Sequence, residues 1–217
     1  MIRAVLIDLS GTLHIENQAI PGAVEALKKL LQTSLTIKFV TNTTKESQNF
    51  LYNRLTALGF PVQKEQIFSS LAAARALIVN KKLKPMLLLS PEALEDFEGL
   101  ACPKNENPNA VVIGLAPNEF HYERLNDAFK CLLNGAELIG IHAGKTRIFS
   151  TIPEEAIMIG DDVTDDVEGA MKAGIKGYLV QTGKYQPGDE HKICTTPDAV
   201  VPSFVEAVEK ILLEIKQ

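Results

Sequence analysis

The chain has 217 residues, 46% of them hydrophobic, with 22 basic against 27 acidic side chains and a formal net charge of −5. This excludes disorder as the default state, and the absence of long charge runs argues against a binder of phosphate backbones. Aromatic residues, at 6%, do not interleave with basic ones, so a nucleic-acid stacking surface is also unsupported.

No apolar run reaches the roughly 20 residues of a membrane-spanning helix. Asp8 interrupts the first apolar run too early for a signal-peptide core. The three cysteines, Cys102, Cys131 and Cys194, follow no metal or C-x-x-C spacing and fit a reducing compartment. These features together predict a cytoplasmic protein with no membrane partner.

In chain order, Ala4 to Asp8 reads as a strand, Pro21 to Leu31 as a helix with proline in its first turn, and Thr36 to Thr41 as a second strand. Thr43-Thr44-Lys45-Glu46 has capping-box spacing, which predicts a helix from there to Leu58, stopped by Gly59. A further helix covers about Leu71 to Asn80. Short strands at Met86 to Leu89 and Ala110 to Ile113 flank the loop "ACPKNENPN". A helix from Glu119 to Leu133 and a strand from Glu137 to Ile141 come next. Ala156 to Ile159 is a strand ending at "GDDVTDD". A helix to Ala173, a strand from Tyr178 to Val180, the loop "TGKYQPGDEHK" and a helix from Ser203 complete the pattern. This alternation predicts an α/β fold with a buried, mostly parallel sheet. Residues 81–142 read as a smaller α/β module inserted between 1–80 and 143–217.

Three strand ends are polar in an unusual way: Asp8 with Ser10-Gly11-Thr12, then Thr41-Asn42-Thr43, then Gly160-Asp161-Asp162 followed by Asp165 and Asp166. A lone aspartate at a strand end is most often a turn former or a helix cap. In a parallel sheet, however, all three sets fall on the carboxyl edge, where ligands gather. Clustered carboxylates repel one another unless a cation intervenes, and oxygen-only ligands point to Mg²⁺ and a phosphate. Asp8 then becomes a metal ligand with one oxygen and a candidate nucleophile with the other. Gly11 lets the backbone approach the phosphate, and the amides after the strand, of Leu9 and Ser10, would donate to its oxygens.

These residues resemble the haloacid dehalogenase superfamily of phosphohydrolases: "DLSGTL" is similar to its first motif, "FVTNTT" to its second and "MIGDDVTDD" to its fourth. The inserted module, "NAVVIGLAP" and "LVQTGKY" resemble the NagD-like branch with a C2-type cap. The resemblance implies a doubly wound core (1–80 and 143–217), a mobile cap (81–142), Mg²⁺, and hydrolysis of a small phosphorylated substrate. It makes Asp8 the nucleophile and Thr41 and Asn42 phosphate binders. It also gives Mg²⁺ to Asp8, the Ser10 carbonyl and Asp161, with Asp166 behind them or acting through water.

The chain departs from that pattern twice. Ser10 stands where the family usually has an acid/base aspartate. Between Ile141 and Glu154, "HAGKTRIFSTIP" replaces the end of the cap, a core strand, the Gly-Lys-Pro third motif and a helix. Lys145 is the local candidate for the motif's lysine, against the plainer reading of a solvated loop lysine. The chain thus reads as a shortened family member. It is a weakened phosphatase or, alternatively, an inactive phosphate-binding or protein-interaction module. His14, His121, His142 and His191 share no metal spacing and read as surface or loop residues. Lys81, Lys82 and Lys84 read as a solubilising edge, and Lys45 and Glu46 as the solvated first turn of a helix.

Overall fold

The computed structural model describes residues 1–141 and 152–216. Its strands are β1 (Ala4–Asp8), β2 (His14–Ile15), β3 (Gln18–Ala19), β4 (Thr36–Thr41), β5 (Ile67–Ser69), β6 (Pro85–Leu88), β7 (Ala110–Ile113), β8 (Glu137–Gly140), β9 (Ala156–Gly160), β10 (Lys176–Val180) and β11 (Ala199–Val201). Its α-helices are α1 (Ala23–Leu31), α2 (Gln48–Ala57), α3 (Ser70–Lys81), α4 (Pro91–Leu94), α5 (Tyr122–Leu133), α6 (Gly169–Lys172) and α7 (Phe204–Glu214). Two compact units divide the described residues: 1–41, 52–67 and 152–216 form one, and 42–51 and 68–141 the other.

The first unit is built on a sheet of order β11-β10-β9-β1-β4-β5, in which β1 pairs parallel with β4 and β9, and β10 pairs parallel with β9 and β11. Every residue of β1 and β9 is buried. A strand covered on both faces has no polar side to show, which is why both read as unbroken apolar runs. Helix α1 buries Ala23, Ala26, Leu27 and Leu30, and packs against α7, which buries Phe204, Ala207, Val208 and Ile211. Ser203 caps α7, its hydroxyl accepting from the Val205 N–H at 3.1 Å.

The second unit has its own three-stranded parallel sheet, ordered β6-β7-β8. Alternation splits its apolar residues between two faces. Leu87, Val112 and Ile139 pack with Leu71, Ala74 and Ile78 of α3, whereas Met86, Leu88 and Val111 pack with Ala128 of α5. Among the described residues, no helix is long and apolar enough to cross a membrane.

Several local expectations need correction. The helix expected from Thr43 starts at Gln48: the Thr43 hydroxyl accepts from the Glu46 N–H at 3.3 Å within a loop that holds Lys45 and Glu46, and Ser47 is the residue that caps Phe50. Ser47 is fixed by donating to Glu95 at 2.6 Å, a partner 48 residues away that no local pattern announces. Pro21 precedes α1, which begins after Gly22 in a left-handed conformation. Glu119 belongs to a 3₁₀ turn, Pro117–Glu119, and α5 starts three residues later. The helix expected to run to Ala173 is a π-helical segment, Val163–Glu168, followed by the short α6. His14 is not a surface residue: it is buried in β2, and its Nδ1 bonds the Glu16 carbonyl at 2.9 Å. Lys145 and His142 lie outside the described residues.

Candidate active site

The carboxyl edge of the first unit's sheet gathers the residues of interest. Asp8 ends β1, opposite Val40 in register, so Thr41 ends β4 one position further along the same edge. Asn42 follows Thr41 in the chain and belongs to the second unit. Asp161 follows β9, and Asp166 comes from the π-helical segment after it. That wide turn is set by Asp162, whose carboxylate accepts from the N–H groups of Thr164 and Asp165 at 3.0 Å each. π-Helical turns of this kind recur at functional sites. The Asp162 N–H in turn donates to Asp166 Oδ2 at 3.2 Å and fixes its carboxylate.

Asp8, Asp161 and Asp166 each offer an oxygen within 4.8 Å of the others, and all three are buried, Asp161 to 1% exposure. Such a cluster is electrostatically unfavourable by itself. Burial lifts the Asp8 carboxyl well above the usual carboxylate range, the charges of Asp166 and Asp161 lift it further, and the Leu9 amide and Lys184 ammonium offset this in part. Asp166 is pushed up to about 7, chiefly by burial, with the Asp162 amide opposing and the charges of Asp161 and Asp162 adding. Asp161 is raised by burial, against the Lys184 amide and ammonium. For Asp162 burial is outweighed by the Asp165 and Thr164 amides and by Lys184, which bring it below the usual range.

This donor set suits a hard divalent cation: three carboxylates, oxygen only, close enough to share one ion and short of compensating charge. The backbone is shaped around it. A Cβ on Gly160 would stand 2.3 Å from the Cβ of Asp166, and one on Gly183 2.1 Å from Asp161 Oδ2 and 2.4 Å from the Gly11 Cα. Thr12, in the loop after β1, is fully buried with its hydroxyl unpartnered among the described residues. Ser10 is exposed and bridges to His14.

The loop after β10, to which no local pattern assigns a role, also reaches this edge. Its Thr182 hydroxyl donates to the Gly11 carbonyl at 2.5 Å, and its Lys184 amide donates to Asp161 Oδ2 at 2.6 Å. The available signal is a Gly-Lys pair just past the end of a fourth parallel strand, on the same edge as the other three.

The parallel α/β sheet and the aspartate cluster at its carboxyl edge fit the haloacid dehalogenase-like hydrolases that the motifs resemble. The chain belongs to that family: the haloacid dehalogenase-like hydrolase profile matches residues 5–100, and a HAD-hydrolase-like profile matches residues 116–207. It is 46% identical to haloacid dehalogenase-like hydrolase domain-containing protein 2 of Bos taurus over 252 aligned positions, spanning 97% of this chain and 96% of that protein. Because this chain has only 217 residues, at least 35 of those positions (252 less 217) have no counterpart in it. The fold is shared with a 4-nitrophenylphosphatase from Thermotoga maritima, at a TM-score of 0.82 and 22% identity over 96% of this chain and 97% of that one. It is shared equally with NagD from E. coli K-12, at a TM-score of 0.82 and 20% identity over 94% and 98%.

Proposed function

We propose that the chain is a cytoplasmic Mg²⁺-dependent phosphohydrolase that acts on small phosphorylated substrates through an aspartyl-phosphate, at a reduced rate. The observation that carries this reading is the trio Asp8, Asp161 and Asp166, buried together at the carboxyl edge of a parallel sheet. Mg²⁺, held by Asp8, the Ser10 carbonyl and Asp161 with Asp166 in support, would neutralise charge on the nucleophile and the phosphate.

Asp8 attacks phosphorus, a P–O bond forms to its carboxylate, and the bond to the leaving oxygen breaks. The amides of Leu9 and Ser10, with Thr41 and Asn42, hold the phosphate oxygens in position for this displacement. The leaving oxygen takes its proton from water, since a serine hydroxyl at position 10 is too weak an acid to provide one at neutral pH. Water then attacks the acyl phosphate, releasing phosphate and restoring Asp8. Residues 81–142 act as the C2-type cap that chooses the substrate. The reduced rate is supported by the positions of the bovine relative that have no counterpart in this chain and by the lack of a Gly-Lys-Pro third motif. Lys145 is the sequence's local candidate for that motif's charge.

The test is turnover of 4-nitrophenyl phosphate with and without Mg²⁺, in the wild-type chain, Asp8→Asn and Lys145→Ala. Slow, Mg²⁺-dependent turnover that vanishes in Asp8→Asn is expected. Turnover indifferent to Asp8→Asn would overturn the mechanism. Phosphate binding with no turnover, even after the positions of the bovine relative that have no counterpart here are restored, would favour an inactive binding module.

A further inference from the structure

The loop after β10 reaches the acidic cluster through both backbone and side chain. The Lys184 backbone N–H donates to Asp161 Oδ2, and its ammonium lies 3.3 Å from Asp162 Oδ2. Asp162 is itself braced by the Thr164 and Asp165 amides. The loop is fixed independently of that side chain, by the Thr182 hydroxyl on the Gly11 carbonyl and by the close approach of Gly183 to Gly11. The ammonium therefore stands at the solvent rim of the cluster, paired with Asp162 on a side chain that is 68% exposed, and its charge reaches Asp8, Asp161 and Asp166 as well as Asp162.

Attack of a carboxylate on a phosphate needs standing positive charge, and in this shortened chain no Gly-Lys-Pro motif provides it. We infer that Lys184 is a positioning residue whose loop, anchored on Gly11 and Asp161, brings a positive charge to the rim of this site, setting its potential so that it binds a phosphate group as well as a divalent cation. The inference rests on the phosphohydrolase reading above. Its consequence has opposite signs for the two ligands: removing the ammonium makes the site more negative, which favours Mg²⁺ and disfavours phosphate. One unit charge acting over several ångströms in a partly solvated site corresponds to about a three- to tenfold change in each affinity.

Lys184→Met keeps the amide that holds Asp161 and most of the aliphatic stem, so it isolates the charge. Mg²⁺ affinity is read from Mg²⁺-dependent thermal stabilisation, and affinity for inorganic phosphate from further stabilisation at saturating Mg²⁺. Lys184→Met is expected to bind Mg²⁺ about three- to tenfold more tightly and phosphate weaker by a similar factor, with Lys184→Arg restoring both. Loss of both affinities together, as structural damage would cause, overturns the inference, as does failure of arginine to restore them. A wild-type Mg²⁺ response left unchanged by Lys184→Met overturns this inference alone. A wild-type chain that does not respond to Mg²⁺ overturns the phosphohydrolase reading with it.

Discussion

The Asp161 carboxylate fills the space that a side chain on Gly11 would need: a Cβ there would stand 2.0 Å from Asp161 Oδ2, and the Gly11 backbone is left-handed at φ +94°. Gly11→Ala must therefore strain the backbone and expel the Asp161 carboxylate from its position. Gly59 is a matched control, left-handed at φ +88° with nothing within 4 Å of its missing Cβ. Gly59→Ala should cost only the left-handed penalty, about 1–2 kcal/mol. Gly11→Ala should cost more and also abolish Mg²⁺-dependent stabilisation. Thermal unfolding of both variants, with and without Mg²⁺, checks this, and equal losses would deny the crowding its role.

The pH dependence of stability follows from the same cluster. Asp166 is raised in the fold to about 7 from an ordinary value of 3.8, and Asp8 is raised too, so the folded chain holds protons that the unfolded chain releases. The stability linked to those protons is fully present below the unfolded value and is lost as pH rises through the folded one. Metal-free protein should therefore lose stability between about pH 4 and about pH 7 at these groups, while stabilisation by Mg²⁺, which needs the ionised carboxylates, should grow over the same interval. Melting temperatures across this range, in a chelator and in saturating Mg²⁺, would show two curves that diverge as pH rises. Parallel curves would count against the cluster as the Mg²⁺ site.

Asp166→Asn separates repulsion from binding. The amide oxygen can still accept from the Asp162 N–H, now 3.2 Å from Asp166 Oδ2, while a buried negative charge is removed. Near pH 8, metal-free Asp166→Asn should melt above the wild type, with a flatter pH profile, yet gain less from Mg²⁺. A variant destabilised in both conditions would mean that the carboxylate is structural.

What could be read in the sequence and what could not divides along a physical line. Ala4–Asp8 and Ala156–Gly160 stand out because strands buried on both faces are continuous apolar runs, and the aspartates that end or follow them break the pattern sharply. Elements held by distant partners escape. The start of α2 depends on Ser47 bonding Glu95, and β5 and β11 are three residues long, stabilised by neighbours rather than by their own pattern. The burial of His14 follows from a two-residue hairpin strand. Lys184 is missed for the same reason: nothing local shows that the fold sets its backbone N–H on Asp161 and its largely exposed ammonium beside Asp162.

Ser10 is exposed, two residues beyond Asp8, and its hydroxyl cannot ionise usefully near neutral pH, so under the proposed mechanism the leaving oxygen would depart without a positioned acid. A positioned carboxylic acid at such a step is worth about 10²–10⁴-fold, and its value depends on how much the leaving group needs a proton. Ser10→Asp should therefore accelerate hydrolysis of an alkyl phosphate, which expels a basic alkoxide, by about tenfold or more. The gain with 4-nitrophenyl phosphate should be small, because its leaving group is a stable anion. The added carboxylate also brings negative charge near the cluster, so phosphate affinity should fall modestly while the rate at saturation rises. Measuring kcat and KM for both esters separates these effects. An equal gain on both esters, or a loss confined to kcat, would show that the missing proton is not what limits this chain.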